Sequence, residues 1–398
     1  MRREPSLDLV EHDLVAVRLP PGPRWLGVLD EALERGAAVM PIDHRLAPAA
    51  AEPLVRRARP TAILSEDGMQ RRPDGEAVDD GIALVVATSG TSAEPKLVEL
   101  ERDAIEAAVK SSAGALSASA GDGWVLCVPT SHVAGMLVLY RGLILGAPVE
   151  VHPGFDPRRI GAVREMSFVS IVPTMLVRLL DAGVELDGFT AILVGGGHLR
   201  PDLRERAERA GGRIVETYGL TESCGGVVYD GVPLAGVAVR VDANGGIELG
   251  GPTLMKRYRS DPRATTDAFT DDGWLRTRDV ATFDGEGKLD VVGRIDDAIT
   301  TGSETVWPRE VESVVALHPK VAAVSVVGRP DVEWGERVVA LVFPRDPADP
   351  PTLEELRTLA TERLGRYKAP RELEIVTDLP QTAIGKVRRP GETMVTPE

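Results

Sequence analysis

The sequence predicts an α/β protein. It has a large N-terminal domain of layered α/β sheets ending in a small β-subdomain, and a smaller α+β C-terminal domain. Three observations carry this. Helical and strand-like patterns alternate over the first 80 residues, the signature of largely parallel sheets covered by helices, and further buried strands follow as far as Glu216. Between Gly231 and Gly293 short alternating strands and glycine turns replace them, as in a small antiparallel sheet. Helix-start signals return at Pro308 and Thr352, after the polar junction Gly293-Arg-Ile-Asp-Asp297. At roughly 150 residues per domain, 398 residues hold two or three domains. The junction divides the chain into residues 1–294 and 295–398.

Trp25 to Arg35 places Leu26, Leu29 and Leu33 at helical spacing, and Gly36 is a stop signal. Residues 37–42 then read as a buried strand, Pro53 to Arg59 as a helix, and Thr61 to Leu64 as a second strand. The charged segment Ser65 to Asp80 reads as a surface loop. The buried strand Ile82 to Ala87 runs into a hydroxyl-rich turn. Further buried strands are expected at Trp124–Val128, Pro148–Val151, Val169–Val172, Ala191–Val194 and Arg213–Glu216. The β-subdomain follows with Val237–Val241, Gly246–Leu249, Ala281–Phe283 and Leu289–Val292. Pro308 suits a first helical turn with Glu310 and Glu312 at its electropositive end, and Thr352-Leu-Glu-Glu355 fits a capping box.

Composition narrows the function. With 46 basic and 61 acidic residues the formal charge is −15, which repels nucleic acid and anionic membranes but permits a local phosphate pocket. Two cysteines, Cys127 and Cys224, build neither a disulfide scaffold nor a thiolate zinc site. Residues 1–6 lead into no apolar h-region, and the apolar stretch Val133 to Val151 is broken by Arg141 and Pro148. The expectation is a cytoplasmic protein with no membrane partner.

The strongest chemical signal is Thr88-Ser-Gly-Thr-Ser-Ala-Glu-Pro-Lys96. A buried strand ends in four hydroxyls around a glycine, with a lysine beyond, so N–H groups, hydroxyls and a point charge can gather on phosphate oxygens. The same residues also suit an ordinary Ser/Thr-rich turn. No Walker A pattern and no G-x-G-x-x-G opening a helix is present, which disfavours P-loop NTPases and Rossmann dehydrogenases. Further along lie Tyr218-Gly-Leu-Thr-Glu222, Trp274-Leu-Arg-Thr-Arg-Asp279, Gly293-Arg-Ile-Asp-Asp297, Ile299-Thr-Thr-Gly-Ser-Glu304 and Leu379-Pro-Gln-Thr-Ala-Ile-Gly-Lys386. Only seven of the 46 basic residues are lysine, yet Lys96 and Lys386 both are. A compact ammonium approaches a single oxygen more closely than a planar guanidinium does.

In this order and spacing the motifs resemble the acyl-adenylate-forming superfamily of acyl-CoA ligases, luciferases and peptide-synthetase adenylation domains, over about residues 24–390. The runs from His132 to Arg141, Val169 to Leu180 and Thr217 to Leu234 look like the actinobacterial o-succinylbenzoate–CoA ligases of menaquinone synthesis. The resemblance implies an ATP- and Mg²⁺-dependent acid–thiol ligase that forms an acyl-AMP and passes the acyl group to coenzyme A. The C-terminal domain is then mobile, and a homodimer is compatible with it. Two alternatives stay open: another aryl or acyl acid with a CoA or carrier-protein acceptor, and a catalytically silent nucleotide-binding homologue.

The resemblance also implies roles. Thr88, Ser89, Gly90, Thr91, Ser92 and Lys96 would hold the ATP phosphates. Gly195, Gly196 and Gly197 would line the adenine pocket, although a plain strand-to-helix turn before Pro201 reads equally well. Tyr218, followed by Gly219, would stack on adenine. Thr221 and Glu222 would meet the α-phosphate and Mg²⁺, and Asp279 and Arg294 the ribose. Lys386 would bridge carboxylate and α-phosphate oxygens, Asp296 would be the hinge, and Gly302 and Glu304 would lie on the loop of the thioester step. His132 falls at the wall between acyl pocket and CoA channel, or is a packed bystander. Arg141, inside an apolar run, calls for an anionic ligand such as the second carboxylate of the acid, or else for a structural partner. Departures from the family pattern are Ala93 and Ser303 at glycine positions, Leu97 after the lysine, and Arg278 within Thr277-Arg-Asp279.

Overall fold

The computed structural model describes residues 7–88 and 95–377. Two seven-stranded sheets form the larger part. The first runs in the order Arg257–Tyr258, Lys96–Glu101, Ile82–Thr88, Ala38–Pro41, Leu14–Val17, Ala62–Ser65, Gly68–Arg71. Its centre is parallel, because helices return the chain between strands, and both edges are antiparallel. The second runs Val232–Pro233, Gly225–Tyr229, Ile214–Leu220, Ala191–Val194, Phe168–Ile171, Trp124–Leu126, Val149–Val151, and is parallel from Ile214–Leu220 onward.

One apolar core joins the two sheets. Helix Arg102–Leu116 touches strands of both, and helix Val133–Leu145 packs against it. The second helix is apolar nearly all round, as burial on every side requires. Strands Ala238–Val241, Gly246–Gly250, Leu275–Phe283 and Leu289–Arg294 make a four-stranded antiparallel sheet, as the glycine-turn texture predicted.

The C-terminal part has its own five-stranded sheet, from Ile299–Thr301 to Glu372–Ile375, with helices Pro308–Val315 and Leu353–Leu364 and a separate apolar cluster around Val306, Val311, Val326 and Leu356. The capping box at Thr352 is present, its hydroxyl accepting from the Glu355 N–H at 3.2 Å.

Two expectations are corrected. Ser65 to Asp80 is not all loop: Gly68–Arg71 pairs antiparallel with Ala62–Ser65 as an edge strand. Its polar side chains hid it, yet polar residues are what an edge strand carries. The helix expected from Pro53 begins at Pro48, and Pro53 lies inside it. Pro48 takes the first turn, where no N–H bond is needed, and an alanine run follows. No helix among the described residues is long and apolar enough to cross a membrane.

Candidate active site

The site follows from the strand direction. Thr88 ends Ile82–Thr88, His132 follows Trp124–Leu126, Gly195 follows Ala191–Val194, and Tyr218 lies near the end of Ile214–Leu220. All four therefore sit at carboxyl ends of parallel strands, where connecting loops leave the sheet and a crevice opens. Ser89, Gly90, Thr91, Ser92 and Lys386 lie outside the described residues. Strands Ile82–Thr88 and Lys96–Glu101 pair antiparallel with Thr88 opposite Lys96, so Lys96 stands beside Thr88 at that strand end.

Among the described residues Lys96 is held by an aromatic ring rather than by a carboxylate. Its Nζ lies 4.4 Å from the centroid of Tyr258, a cation–π contact. The Tyr258 hydroxyl donates to Glu222 Oε1 at 2.8 Å. Burial, reinforced by the Glu222 carboxylate, pushes the Tyr258 phenol well above its ordinary pKa, so it stays a donor. Glu222 and Thr221 sit on a single 3₁₀ turn, Thr221–Ser223, at the end of the strand that carries Tyr218. Buried Ser223 pins that turn, its hydroxyl accepting from the Leu220 N–H at 2.9 Å and donating to Gly225 O at 3.0 Å.

Tyr218 faces the other side of the crevice. Its hydroxyl donates to Asp279 Oδ2 at 2.9 Å, and burial followed by that carboxylate raises its pKa. Asp279 and Arg294 are directly opposed across strands Leu275–Phe283 and Leu289–Arg294, with an ion pair at 3.5 Å. The segment Tyr218–Glu222 thus connects a carboxylate–guanidinium pair suited to hydroxyls with a lysine and a carboxylate that share Tyr258 and suit phosphate and cation. Close approach makes two glycines obligatory. A Cβ on Gly219 would stand 1.9 Å from Gly225 O, and one on Gly195 would stand 2.3 Å from Thr217 Oγ1. Gly196, in a left-handed turn with φ +72°, and Gly197 continue beside Val172 and Pro173.

His132 precedes helix Val133–Leu145, and burial holds its pKa below the ordinary value. Arg141 does not join it. Eight residues along the helix, it lies about 12 Å deeper. Its guanidinium stacks on Trp124, 4.1 Å from the ring centroid, and donates to Ser112 Oγ at 3.1 Å. Ser112 in turn bonds the Tyr229 hydroxyl at 2.8 Å. Trp124 begins its strand, so this cluster sits at the end opposite the crevice.

Asp296 lies on the short turn Ile295–Asp297 between the four-stranded sheet and the C-terminal part. Arg278 clasps it through two nitrogens and holds its carboxyl below the usual range, with Arg294 at 3.6 Å. Gly302 turns at φ +66° in the hairpin that exposes Glu304, and Ser303 sits at that turn open to solvent. Sequence reasoning missed Tyr258 and the partner of Asp296. Tyrosine scarcity was an available signal: five occur, and two of them meet the site.

Known proteins resemble this chain in sequence and in fold. The family described as AMP-binding enzyme matches residues 65–258, and its C-terminal domain family matches residues 310–386. A Mycobacterium tuberculosis protein named as a probable 2-succinylbenzoate–CoA ligase is 41% identical over 330 residues, covering 79% of this chain and 85% of its own length. The structure of o-succinylbenzoate CoA synthetase from Bacillus subtilis with the acyl-adenylate OSB-AMP matches with a TM-score of 0.83 at 25% identity, covering 95% of this chain and 87% of that one. The same enzyme with ATP and a magnesium ion also matches at 0.83 and 25%, covering 95% and 89%.

Proposed function

The chain belongs to the AMP-binding enzyme family, and from that premise we propose that it is an ATP-dependent o-succinylbenzoate–CoA ligase of menaquinone synthesis. The observation that carries the site's part is the segment Tyr218–Glu222, which joins the Asp279–Arg294 pair to the Lys96–Tyr258–Glu222 cluster at one strand end. Asp279 and Arg294 would take the ribose hydroxyls, and Gly195 to Gly197 with Tyr218 the adenine. Lys96 and the hydroxyl loop would hold the phosphates.

The donor set fits Mg²⁺. Among the described residues no three His, Cys, Asp or Glu side chains gather into a cage, and Mg²⁺ ordinarily takes one or two carboxylates together with substrate phosphates. Glu222 would hold it with Thr221 alongside. When bound, the ion supplies charge neutralisation on phosphate oxygens.

The acid's carboxylate oxygen attacks the α-phosphorus in line, and the bond to pyrophosphate breaks. Lys386 would lie between the two anions there, offsetting their repulsion. The CoA thiol then attacks the acyl carbon, losing its proton, and AMP leaves. Residues 295–398 would turn about Asp296 between these steps and bring Gly302 and Glu304 to the site, with His132 between the acid and the thiol. The reading carries a cytoplasmic location and is compatible with a homodimer.

Acid-dependent exchange of labelled pyrophosphate into ATP is the test. o-Succinylbenzoate should support exchange best in a panel with benzoate and fatty acids, and Lys386→Ala should abolish exchange while sparing CoA acylation from supplied acyl-adenylate. ATP binding without exchange on any acid would mean a silent homologue, and preference for another acid would refute the substrate.

A further inference from the structure

We propose that Tyr258 is a positioning residue of the adenylation site, keeping the Lys96 ammonium and the Glu222 carboxylate apart and each aimed at its own part of the nucleotide. The inference rests on the function proposed above and extends it to a residue to which no role has been attached. A lysine and a glutamate lining one crevice attract each other, and a direct ion pair would take both from the ligand. Tyr258 stands between them, satisfying Glu222 Oε1 with its hydroxyl at 2.8 Å and Lys96 with its ring face at 4.4 Å. Among the described residues neither Lys96 nor Glu222 forms an ion pair. The tyrosine thereby gives each charge a neutral partner, and its bond to Oε1 orients the carboxylate without neutralising it.

Tyr258 can do this because its own place is rigid. It pairs with Val98, so Lys96, two residues away on the same face, is its diagonal neighbour. The arginines on either side are anchored in wholly buried Glu99, Arg257 Nε at 2.8 Å and Arg259 Nη1 at 2.9 Å, and Arg259 Nε also donates to Ala58 O at 2.8 Å. The Met255 N–H donates to Glu222 O at 2.8 Å, tying the segment before Tyr258 to the turn that bears Glu222. Shifting the ring would break a buried ion pair, so the phenol is a fixed post against which two flexible charges are set.

Tyr258→Phe keeps the ring and removes the hydroxyl, and Tyr258→Leu removes both. Binding of ATP with Mn²⁺, followed by the metal's electron paramagnetic resonance, tests the idea apart from turnover. The phenylalanine variant should bind Mn²⁺–ATP about tenfold more weakly, the loss of one hydrogen bond to a charged group, with an unchanged melting temperature. The leucine variant should also weaken ATP without metal, through Lys96. In a Glu222→Gln background Tyr258→Phe should add little, since it acts through Glu222. Wild-type binding by Tyr258→Phe, full additivity with Glu222→Gln, or a phenylalanine variant that does not fold would each overturn the proposal. Wild-type protein that binds Mn²⁺–ATP yet exchanges no pyrophosphate would refute the ligase reading and leave the tyrosine's role standing.

Discussion

Arg141 brings a guanidinium into the core, where its charge meets a π face and hydroxyls, with no carboxylate among the described partners. Burial lowers its pKa, though an arginine stays protonated in proteins. Its cost is offset by the Trp124 ring and by Ser112, itself bonded to Tyr229. Arg141→Ala should therefore destabilise by about 3 kcal/mol in urea, through the lost contacts and the cavity. Arg141→Met, which fills the space without charge, should cost less. The KM for the acid should stay at its wild-type value in the methionine variant; a selective rise would return Arg141 to the acid pocket. Gly219→Ala is the sharper case, because its Cβ would lie inside the Gly225 carbonyl. A loss on the order of 3 kcal/mol or more is expected, and wild-type stability in the melt would contradict the close approach. At this scale the sequence showed residue types and not partners. Tyr258 stayed unnoticed because its partners lie 36 and more than 150 positions away in the chain.

Elements were more legible. Helix Arg24–Arg35 with its left-handed Gly36 cap, helix Pro308–Val315 and the Thr352 capping box all carry local signals, since a cap needs neighbouring side chains only. Gly68–Arg71 was missed because an edge strand lacks the apolar alternation by which strands are read. The turn Ile295–Asp297 shows the limit of motif reading as well: Arg278 departs from the family pattern, and in the fold it grips Asp296. Both partners are partly open to water, so Arg278→Gly should change global stability by less than about 1 kcal/mol. It should nonetheless free the turn, and limited proteolysis at residues 295–297 should be faster than in wild type. Equal cleavage rates would show that the clasp does not restrain it.

The two parts of the molecule meet through polar contacts. His198 Nε2 lies 3.1 Å from Ser313 Oγ, and Glu216 lies 3.9 Å from both His198 Nδ1 and Arg309 Nη2. Burial keeps the pKa of His198 below the ordinary 6.5, as it does for His132. The unfolded chain therefore binds protons at these positions before the folded one does. Their contribution to stability is complete above about pH 6.5 and is lost as pH falls from there toward the folded values. The lowered carboxylates, Glu216 among them, act only at more acidic pH, below the ordinary 4.5 of a glutamate. The melting temperature should fall between pH 7.5 and 5.5, and the fall should be smaller in a His132→Gln/His198→Gln double variant. An identical fall in both proteins would place the loss elsewhere.

Fold class was readable from the chain's local patterns, and family and reaction from its resemblance to a known superfamily, because the motifs that carry it are short stretches standing in the family's order and spacing. Folding added the contacts between segments. It put Tyr258 between Lys96 and Glu222, drew Arg141 away from the crevice to Trp124, and closed Arg278 on Asp296. Strand register and helix depth set those meetings, and both depend on how whole faces pack, which no local stretch of sequence encodes.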